Sequence, residues 1–349
     1  MRVLGPRSLR AFLVIPRPFG VALVAVILAA CGTAATPPSS ATAPSPSSSR
    51  SIASRAPSPA ASPAFPITIS DDEGTAVTIE AEPEKIVSLT PAETEILFAL
   101  GIGDRVVGKV EDIADHPPEA AAVPVVGSFD SVDVETIVET DPDLVLAGGS
   151  GGTPPDAIER MRTLGLTVVV VYAADFEAVL DDIELTGSVV GRSEEAAELV
   201  EAMTAGFKQI ADITAGADRP RVFYETGDQP SIYGIADDSV YAEMIELAGG
   251  DPITTGSASK WEMPLETLVQ ADPELIILGD SAYGVTAEAV AARPGWSVMT
   301  AVRTGAIQPI DDIVITRPGP RLVEGLRLLA EAIHPELALP SAAPSASSG

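Results

Sequence analysis

The chain is poor in several residue types that binding and catalytic sites commonly use. It has one cysteine and two histidines among 349 residues, and aromatic residues make up only 4%. A single cysteine excludes an intrachain disulfide framework. A bare zinc or manganese site draws on several histidines and carboxylates, but His116 falls in a predicted surface turn and His334 at the end of the last predicted helix. We therefore expect no resident metal or cofactor.

Basic residues are also scarce. Lysine and arginine number 21 against 50 aspartates and glutamates, which gives a net charge of −29. Loss of the first thirty residues, which carry four arginines and no acid, makes it about −33. Phosphate backbones are bound by basic faces, so nucleic acid is excluded as a partner. The same balance disfavours attraction to anionic lipid and is typical of a protein kept soluble by charge.

The N-terminus has the pattern of an export signal. Four arginines precede an apolar run over residues 19–30, which is too short for a permanent membrane helix, and small residues then lead to Cys31. This resembles a bacterial lipobox, in which the cysteine is lipidated and becomes the new N-terminus. A plain signal peptide with an incidental cysteine is the alternative. We assign 1–30 to the signal, 31–65 to a disordered Pro/Ser/Ala tether and 339–349 to a disordered tail.

The folded part is expected to begin near Pro66. Alternating residues over 67–80 predict a hairpin, and the sequence KIVSL at 85–89 predicts a buried strand. A helix should follow, with Thr90 as its N-cap and Glu93 at the capping-box position. Further apolar runs at 143–147 and 167–172 suit a parallel sheet that is covered on both faces.

A long internal repeat organises the folded part. The segment ETIVETDPDLVL at 135–146 returns as ETLVQADPELII at 266–277, an offset of 131 residues. Each copy predicts a short helix, an Asp-Pro break and a buried strand. Solenoid repeats are much shorter, about 20–50 residues. Two similar lobes with a cleft between them therefore explain the repeat, and such clefts commonly hold small molecules.

One long helix is predicted between the two copies of the repeat. An apolar stripe with helical spacing runs through residues 193–214, and a strand at 221–226 follows it. We expect an N-terminal lobe over 66–192, a connecting helix over 193–217 and a C-terminal lobe over 218–338. The expected fold is thus α/β, with two Rossmann-like lobes joined by one long helix and a ligand cleft between them.

At this point the residues resemble a known family. PEKIVSLTPAETEILFALG at 83–101, the two repeats, ELAGGDPI at 246–253 and RPGPRLVEGLRLLAEAIHPE at 317–336 are similar, in order and spacing, to helical-backbone solute-binding proteins of bacterial ABC importers. This group carries cobalamin, ferric siderophores and haem. The resemblance covers about 67–337. It implies a monomeric, non-enzymatic binding protein that closes little on its ligand and is anchored to the outer face of the membrane through Cys31.

The resemblance also implies partners and docking residues. Members of the family deliver their ligand to a membrane permease with ATPase subunits, and one surface glutamate on each lobe docks into arginine pockets of the permease. The matching positions are Glu135 and Glu266. Two carboxylates on rigid lobes can engage two arginine clusters through bidentate hydrogen bonds. Alternatively, each glutamate only complements the dipole of the helix that it begins.

For the ligand, the resemblance implies cobalamin or a ferric-siderophore-type chelate. Aligned with the vitamin B12-binding member, Phe129 and Tyr233 fall at aromatic ligand contacts, Trp261 lies close to another, and Arg317 matches a cleft arginine. Core packing remains the alternative for the aromatics, and pairing with Asp311 or Asp312 the alternative for Arg317. The relative has a tryptophan where this chain has Gly148, so 148–155 is expected to form a flexible cleft rim rather than an aromatic wall.

Two alternative functions remain. Haem with a histidine ligand would require His116. An extracytoplasmic serine hydrolase would use Ser150 in GGSGG, which matches G-x-S-x-G directly after a predicted strand, with aspartates and His334 following in the chain. Against the hydrolase, Gly-Gly-Thr-Pro-Pro stands where a helix should begin at once.

Overall fold

The computed structural model describes residues 65–128, 131–149, 152–173, 175–237 and 239–340. All of them belong to one compact unit of the chain. The predicted signal over 1–30, Cys31, the 31–65 tether except Phe65, and 341–349 of the predicted tail lie outside the described residues, as do Phe129 and Ser150. Within the described ranges, no helix is both long enough and apolar enough to cross a membrane.

The N-terminal lobe is a hairpin followed by a doubly wound sheet. The hairpin is β1 (Ile67–Ser70) with β2 (Ala76–Ile79). The sheet strands are β3 (Ile86–Ser88), β4 (Val106–Val110), β5 (Val125–Ser128), β6 (Ser131–Val132), β7 (Leu144–Ala147) and β8 (Val168–Val170). The helices are α1 (Pro91–Ala99), α2 (Val134–Glu139), α3 (Pro155–Thr163) and α4 (Phe176–Val189). The strand order is β6-β5-β4-β3-β7-β8, and only the edge pair β5–β6 is antiparallel.

This strand order explains where a site can form. From β3 the chain winds outward through β4 and β5, then returns to place β7 on the other side of β3. In such a sheet the loops after β3 and β7 diverge to opposite faces, which opens a crevice at the carboxyl ends of the strands. Thr90 follows β3 and Gly148 follows β7, so these two residues border the crevice.

One long helix then leads to the second sheet, as predicted. Helix α5 (Ser193–Thr214) has 22 residues and is therefore about 33 Å long. Met203, Phe207 and Ile210 form its buried stripe. Helix α5 packs against α4 and, further along, against the last helix of the chain. At Gly206 a Cβ atom would lie 2.6 Å from Val323 Cγ1, so the close approach of these two helices requires glycine.

The C-terminal lobe repeats the doubly wound pattern on a smaller scale. Its elements in chain order are β9 (Arg221–Glu225), α6 (Val240–Leu247), β10 (Asp251–Pro252), α7 (Leu265–Ala271), β11 (Leu275–Leu278), α8 (Ala287–Ala291), α9 (Thr300–Thr304), β12 (Ile307–Pro309), α10 (Ile313–Thr316) and α11 (Leu322–Ile333). The strand order is β10-β9-β11-β12, with all neighbours parallel.

The internal repeat is confirmed in the backbone. Helices α2 and α7 lead into β7 and β11, and both of these strands lie beside the first parallel strand of their sheet. At the break, Asp141 and Asp272 both adopt the left-handed conformation, with φ of 50° and 48°. They are the non-glycine residues with positive φ in the described ranges. Because this backbone conformation is uncommon outside glycine, its recurrence at the same Asp-Pro step marks a true structural duplication.

The hydrophobic core runs through both lobes. Alternate side chains of each sheet point to opposite faces: Ile86 and Leu144 enter a shared core with α5 and α11, whereas Val87 and Val145 pack on the other face. Strand β11 divides its residues in the same way. Since one apolar cluster continues from the first sheet through α5 to the second, the connecting helix is packed along its length rather than exposed as a tether.

One local prediction is wrong. Thr90 caps α1 by accepting a hydrogen bond from the Glu93 backbone N–H at 3.1 Å, as expected. The Glu93 side chain, however, does not return to the cap to complete a capping box. It is buried instead, and Glu93 Oε2 accepts a hydrogen bond from the Thr186 hydroxyl on α4 at 3.0 Å. The packing of α1 on α4 therefore outweighs the local motif.

Candidate functional site

A cavity of about 590 Å³ lies between the two lobes. Its N-terminal wall is formed by residues that directly follow parallel strands, with α4 behind them, and its C-terminal wall by the start of α6, the loop before α7, a turn after β11 and the segment between α10 and α11. The lining residues are Thr90, Pro91, Ala92, Glu93, Glu111, Asp112, Ile113, Gly148, Gly152, Val171, Tyr172, Ala173, Asp182, Ser239, Val240, Tyr241, Trp261, Tyr283, Ile315, Thr316, Arg317 and Pro318. The carboxyl ends of the strands thus define the cleft, as the topology requires.

Aromatic side chains contribute to both walls. Trp261, one of the predicted ligand contacts, lines the cavity, and its ring meets that of Tyr241 edge-on at 5.7 Å between centroids. Tyr172 on the N-terminal side and Tyr283 on the C-terminal side are 49% and 76% exposed, so their rings are available to a ligand. Tyr233, by contrast, is not among the lining residues and lies in backbone bridges to Gly227 and Glu262.

Sequence reasoning missed Tyr172, Tyr241 and Tyr283. Tyr172 directly follows the apolar run of β8, and Tyr283 lies five residues after β11. Because the ends of parallel strands face the crevice, position alone could have identified both. Tyr241 belongs to the first turn of α6 and carried no comparable signal.

Gly148 is required by the geometry of the cleft. A Cβ atom at this position would lie 2.4 Å from Thr90 Cγ2, so no side chain fits without movement of Thr90. At the next residue, Gly149, a Cβ would lie 3.2 Å from Tyr172 Cβ. Gly148 and Gly152 border the cavity, as the predicted cleft rim requires, and the aromatic contact on this side comes from Tyr172.

Arg317 joins the two lobes. Its Nη1 donates to Glu95 Oε1 at 2.9 Å, to Asp112 Oδ2 at 3.0 Å and to the Ala114 carbonyl at 3.1 Å, and its Nη2 donates to Asp112 Oδ1. Arg321 completes the network through Glu95 at 2.6 and 2.9 Å. The expected alternative of pairing with Asp311 or Asp312 is thus wrong. The real partners belong to the other lobe, which brings the α10–α11 segment against α1.

Two buried acidic side chains lie in the N-terminal wall of the cavity. Glu93 on α1 and Asp182 on α4 are 3% and 5% exposed, yet both line the cavity. Burial is the main cause that raises the pKa of Glu93 to about 8 and that of Asp182 to about 9, and the negative charge of Asp72 contributes to both increases. A buried carboxyl without a basic partner favours its neutral form.

A second polar cluster supports the C-terminal wall from behind. Arg293 forms a bidentate pair with Glu225 at 2.6 and 2.9 Å. The Tyr224 hydroxyl donates to Asp312, and the Tyr224 ring packs on Tyr241 at 5.9 Å between centroids. Burial raises the pKa of Asp312 to about 6. The bond to Asp312 holds Tyr224 in place, and Tyr224 in turn packs on Tyr241, the tyrosine that contacts Trp261.

The two repeat glutamates lie on the surface. Glu135 lies in the first turn of α2 and Glu266 in the first turn of α7, and both side chains are exposed. Arg160 approaches Glu135 at 3.2 Å, with side-chain exposures of 58% and 83%, whereas Glu266 makes no ion pair within the described ranges. An ion pair this exposed contributes about 0–1 kcal/mol, so Glu135 can exchange Arg160 for another partner at little cost.

The histidines do not form a reactive site. His334 is 3% exposed and its Nε2 lies 3.2 Å from the Gly249 carbonyl, in the C-terminal lobe. Neither His334 nor His116 is among the residues that line the cavity. Among the described residues, no group of three or more histidine, cysteine, aspartate or glutamate side chains could hold a metal ion. The hydrolase arrangement of Ser150 with His334 therefore finds no support in this geometry.

Comparison with known proteins gives a consistent result. The family model for periplasmic binding proteins matches residues 86–313. The uncharacterized ABC transporter substrate-binding lipoprotein YvrC of Bacillus subtilis strain 168 is 38% identical over 277 residues, which cover 78% of this chain and 87% of that protein. A cobalamin-binding protein of Halobacterium salinarum is 32% identical over 320 residues, which cover 88% and 84%.

A solved structure extends the comparison. The periplasmic heme-binding protein RhuT from Roseiflexus sp. RS-1, in its apo form, superposes with a TM-score of 0.64 at 25% identity and covers 72% of this chain and 98% of that one. The family match spans more than half of the chain and agrees with the two doubly wound sheets, the connecting helix and the cleft described above. This chain belongs to the periplasmic binding protein family.

Proposed function

We propose that this protein is the substrate-binding component of an ABC importer, and that it captures a corrinoid or a ferric-siderophore-type chelate in the cleft. The exposed apolar side chains carry the proposal. Of the eight large apolar side chains that are exposed in the described ranges, four line this one cavity: Ile113, Tyr172, Trp261 and Tyr283. A concentration of exposed apolar groups marks a binding surface, and a large flat ligand suits aromatic walls.

The relatives support a transport role. Proteins named as a cobalamin-binding protein and as an ABC transporter substrate-binding lipoprotein align with most of this chain. Haem is the second candidate, because a haem-binding protein shares the fold. Since no histidine lines the cavity, haem here would rely on the aromatic walls or on a tyrosine ligand.

Tryptophan fluorescence tests this proposal directly. A soluble form beginning after Cys31 is titrated with cobalamin, a ferric hydroxamate and haem. We expect saturable quenching by at least one probe, because Trp261 lines the cleft whereas Trp296 is 2% exposed beneath Arg293. Trp261→Phe should remove most of the quenching, and the matched variant Trp296→Phe should retain it. If none of the three probes binds, the proposed ligand class is wrong.

We further propose that Glu135 and Glu266 dock the protein on the permease. Both are exposed at the start of equivalent helices on rigid lobes. Glu135→Ala combined with Glu266→Ala should leave ligand affinity unchanged and abolish uptake by cells. The control pair Glu139→Ala with Glu288→Ala removes two other exposed helix glutamates and should transport normally. Normal uptake by the first double variant would exclude this docking role.

The anchor and the domain limits complete the proposal. We propose that Cys31 is lipidated and holds the protein, as a monomer, on the outer face of the membrane, with lobes over 66–192 and 218–338 around a connector at 193–217. The lipoprotein named among the relatives supports the anchor. Cys31→Ser should move the protein from the membrane fraction to the soluble fraction. Retention in the membrane fraction would contradict the anchor.

A further inference from the structure

Acidic side chains outnumber basic ones in the lining of the cleft. Its lining includes four carboxyl side chains, those of Glu93, Glu111, Asp112 and Asp182. Among the described lining residues the only cation is Arg317. A ligand with several carboxylates would bring negative charge next to Glu111 and Asp112, and like charges brought together in a cleft cost several kcal/mol.

The single cation is already occupied. Both terminal nitrogens of Arg317 donate to carboxylates of the N-terminal lobe, and the third contact is a backbone carbonyl. The side chain is 10% exposed. Arg317 therefore closes an ion-pair network between the lobes, and its positive charge is already offset by Glu95 and Asp112.

The two buried acids have carboxyl oxygens that can accept further hydrogen bonds. Glu93 accepts one hydrogen bond, from Thr186. Asp182 lies one helical turn before Thr186 on α4 and so shares its face toward α1. Asp182 is 5% exposed and lines the cavity, and its carboxyl shares a side-chain hydrogen bond with Asp72. Two neighbouring carboxyls form such a bond by sharing one proton, which leaves Asp182 with an oxygen that can still accept an N–H donor of a ligand.

We propose that Glu93 and Asp182 determine ligand specificity by reading N–H groups, so that the cleft takes a chelate bearing carboxamide or amine groups and rejects one bearing carboxylates. This rests on the proposed function and deepens it. The aromatic side chains contact the face of the ligand, and the two acids contact its polar edge.

The chemistry of the pair favours carboxamides. Because burial raises the pKa of both acids above neutrality, each holds a proton in the empty cleft at pH 7. A protonated carboxyl both donates and accepts. Glu93 can therefore pair with a carboxamide through one O–H···O and one N–H···O hydrogen bond, whereas Asp182, whose proton is shared with Asp72, accepts an N–H. A ligand carboxylate supplies no N–H donor and adds negative charge beside Glu111, Asp112 and Asp72.

A matched pair of probes tests the proposal on the mature chain. Cobalamin carries peripheral carboxamides, and its monocarboxylic acid derivatives differ by conversion of one carboxamide to a carboxylate. Dissociation constants are measured for cobalamin and for each purified derivative, in the natural protein, in Asp182→Asn and in Glu93→Gln. Glu184→Gln serves as the control, because this acid lies on the same helix as Asp182 but is exposed and is not among the residues that line the cavity. Thermal melting confirms that each variant is folded, and the ratio of the two constants is insensitive to a uniform loss of affinity.

The outcomes separate this inference from the function on which it rests. We expect at least one derivative to bind at least about tenfold more weakly than cobalamin, and Asp182→Asn to reduce that ratio to about threefold or less, because its amide can donate to the carboxylate. Glu184→Gln should keep the discrimination. If every derivative binds as tightly as cobalamin, or if both buried-acid variants keep the full ratio, the specificity assignment is overturned while the cleft remains a corrinoid site. If cobalamin itself does not bind, the corrinoid assignment fails and this inference fails with it.

Discussion

Removal of Arg317 should destabilise the protein strongly, because this side chain neutralises an acid of the opposite lobe. In Arg317→Gln, Glu95 keeps both bonds from Arg321, but Asp112 loses its bonds from both guanidinium nitrogens. The Asp112 side chain is 6% exposed. Breaking a buried ion pair by removing one partner costs about 3–5 kcal/mol. Since Asp112 borders the cleft and water can reach it, we expect the lower end, about 3 kcal/mol.

Chemical denaturation and thermal melting measure this cost. A loss of about 3 kcal/mol should lower the melting temperature by roughly 5 °C in a protein of this size. The matched control is Lys208→Gln, which breaks the pair with Asp212 at 2.6 Å, where both side chains are more than 60% exposed. Exposed pairs within a helix contribute about 0.3–0.5 kcal/mol, so the control should barely change stability.

A double-mutant cycle identifies the origin of the effect. Asp112→Asn removes the charge that Arg317→Gln leaves unpaired, so the double variant should lose less than the sum of the single variants by at least about 1 kcal/mol. If Arg317→Gln costs no more than Lys208→Gln, or if the two substitutions are additive, the interlobe network does not hold the lobes together and the reasoning is refuted.

Three further predictions concern the cleft and its buried acids. The pKa of Glu93 is raised from 4.5 to about 8 in the folded protein, so the unfolded chain loses this proton at lower pH than the folded one. The free energy of unfolding should therefore fall as pH rises from about 4.5 to about 8. Denaturant titrations between pH 4 and 9 will measure this slope, and Glu93→Gln should flatten it. Gly148→Ala should weaken ligand binding and lower stability, because the new Cβ would lie 2.4 Å from Thr90 Cγ2. Adding Thr90→Ser, which removes that methyl group and keeps the capping hydroxyl, should restore both properties in binding and melting assays. Failure of this rescue would contradict the steric explanation. Tyr283→Ala should lower the affinity for the chelate about tenfold, which corresponds to the loss of an aromatic contact of about 1.4 kcal/mol. The melting temperature should not change, because the side chain is 76% exposed. Unchanged affinity in calorimetric titrations would show that Tyr283 does not contact the ligand.

Local patterns made much of the fold predictable. The strands of the two sheets appear as apolar runs, and the limits of α5 agree with the sequence-based helix over 193–214 because its apolar stripe and the flanking Arg-Pro step are local signals. The repeat of Glu135 and Glu266 predicted two related lobes, and the left-handed aspartates confirm the duplication. These features depend on residues that are close in the chain, so periodicity and turn chemistry suffice.

The cleft could be predicted only in part, because it is assembled from distant segments. The sequence predicted Trp261 and Tyr233 as ligand contacts. Trp261 lines the cavity, but the tyrosine that lines it is Tyr241, eight residues after Tyr233. For Arg317 the sequence offered Asp311 and Asp312, which are close in the chain, as possible partners. Its actual partners, Glu95 and Asp112, lie 222 and 205 residues away. Long-range pairing of this kind is set by how two sheets pack around α5, and no local pattern encodes it.

Backbone hydrogen exchange in the presence of ligand tests the central claim most directly. The mature chain is compared alone and saturated with whichever of cobalamin, ferric hydroxamate or haem binds it most tightly. We predict slower exchange at residues 90–93, 111–113, 171–173, 239–241 and 315–318, on both sides of the interlobe cavity, with little change in the second half of α5. Slower exchange on one lobe only, or only outside these segments, would contradict a ligand held between the two lobes.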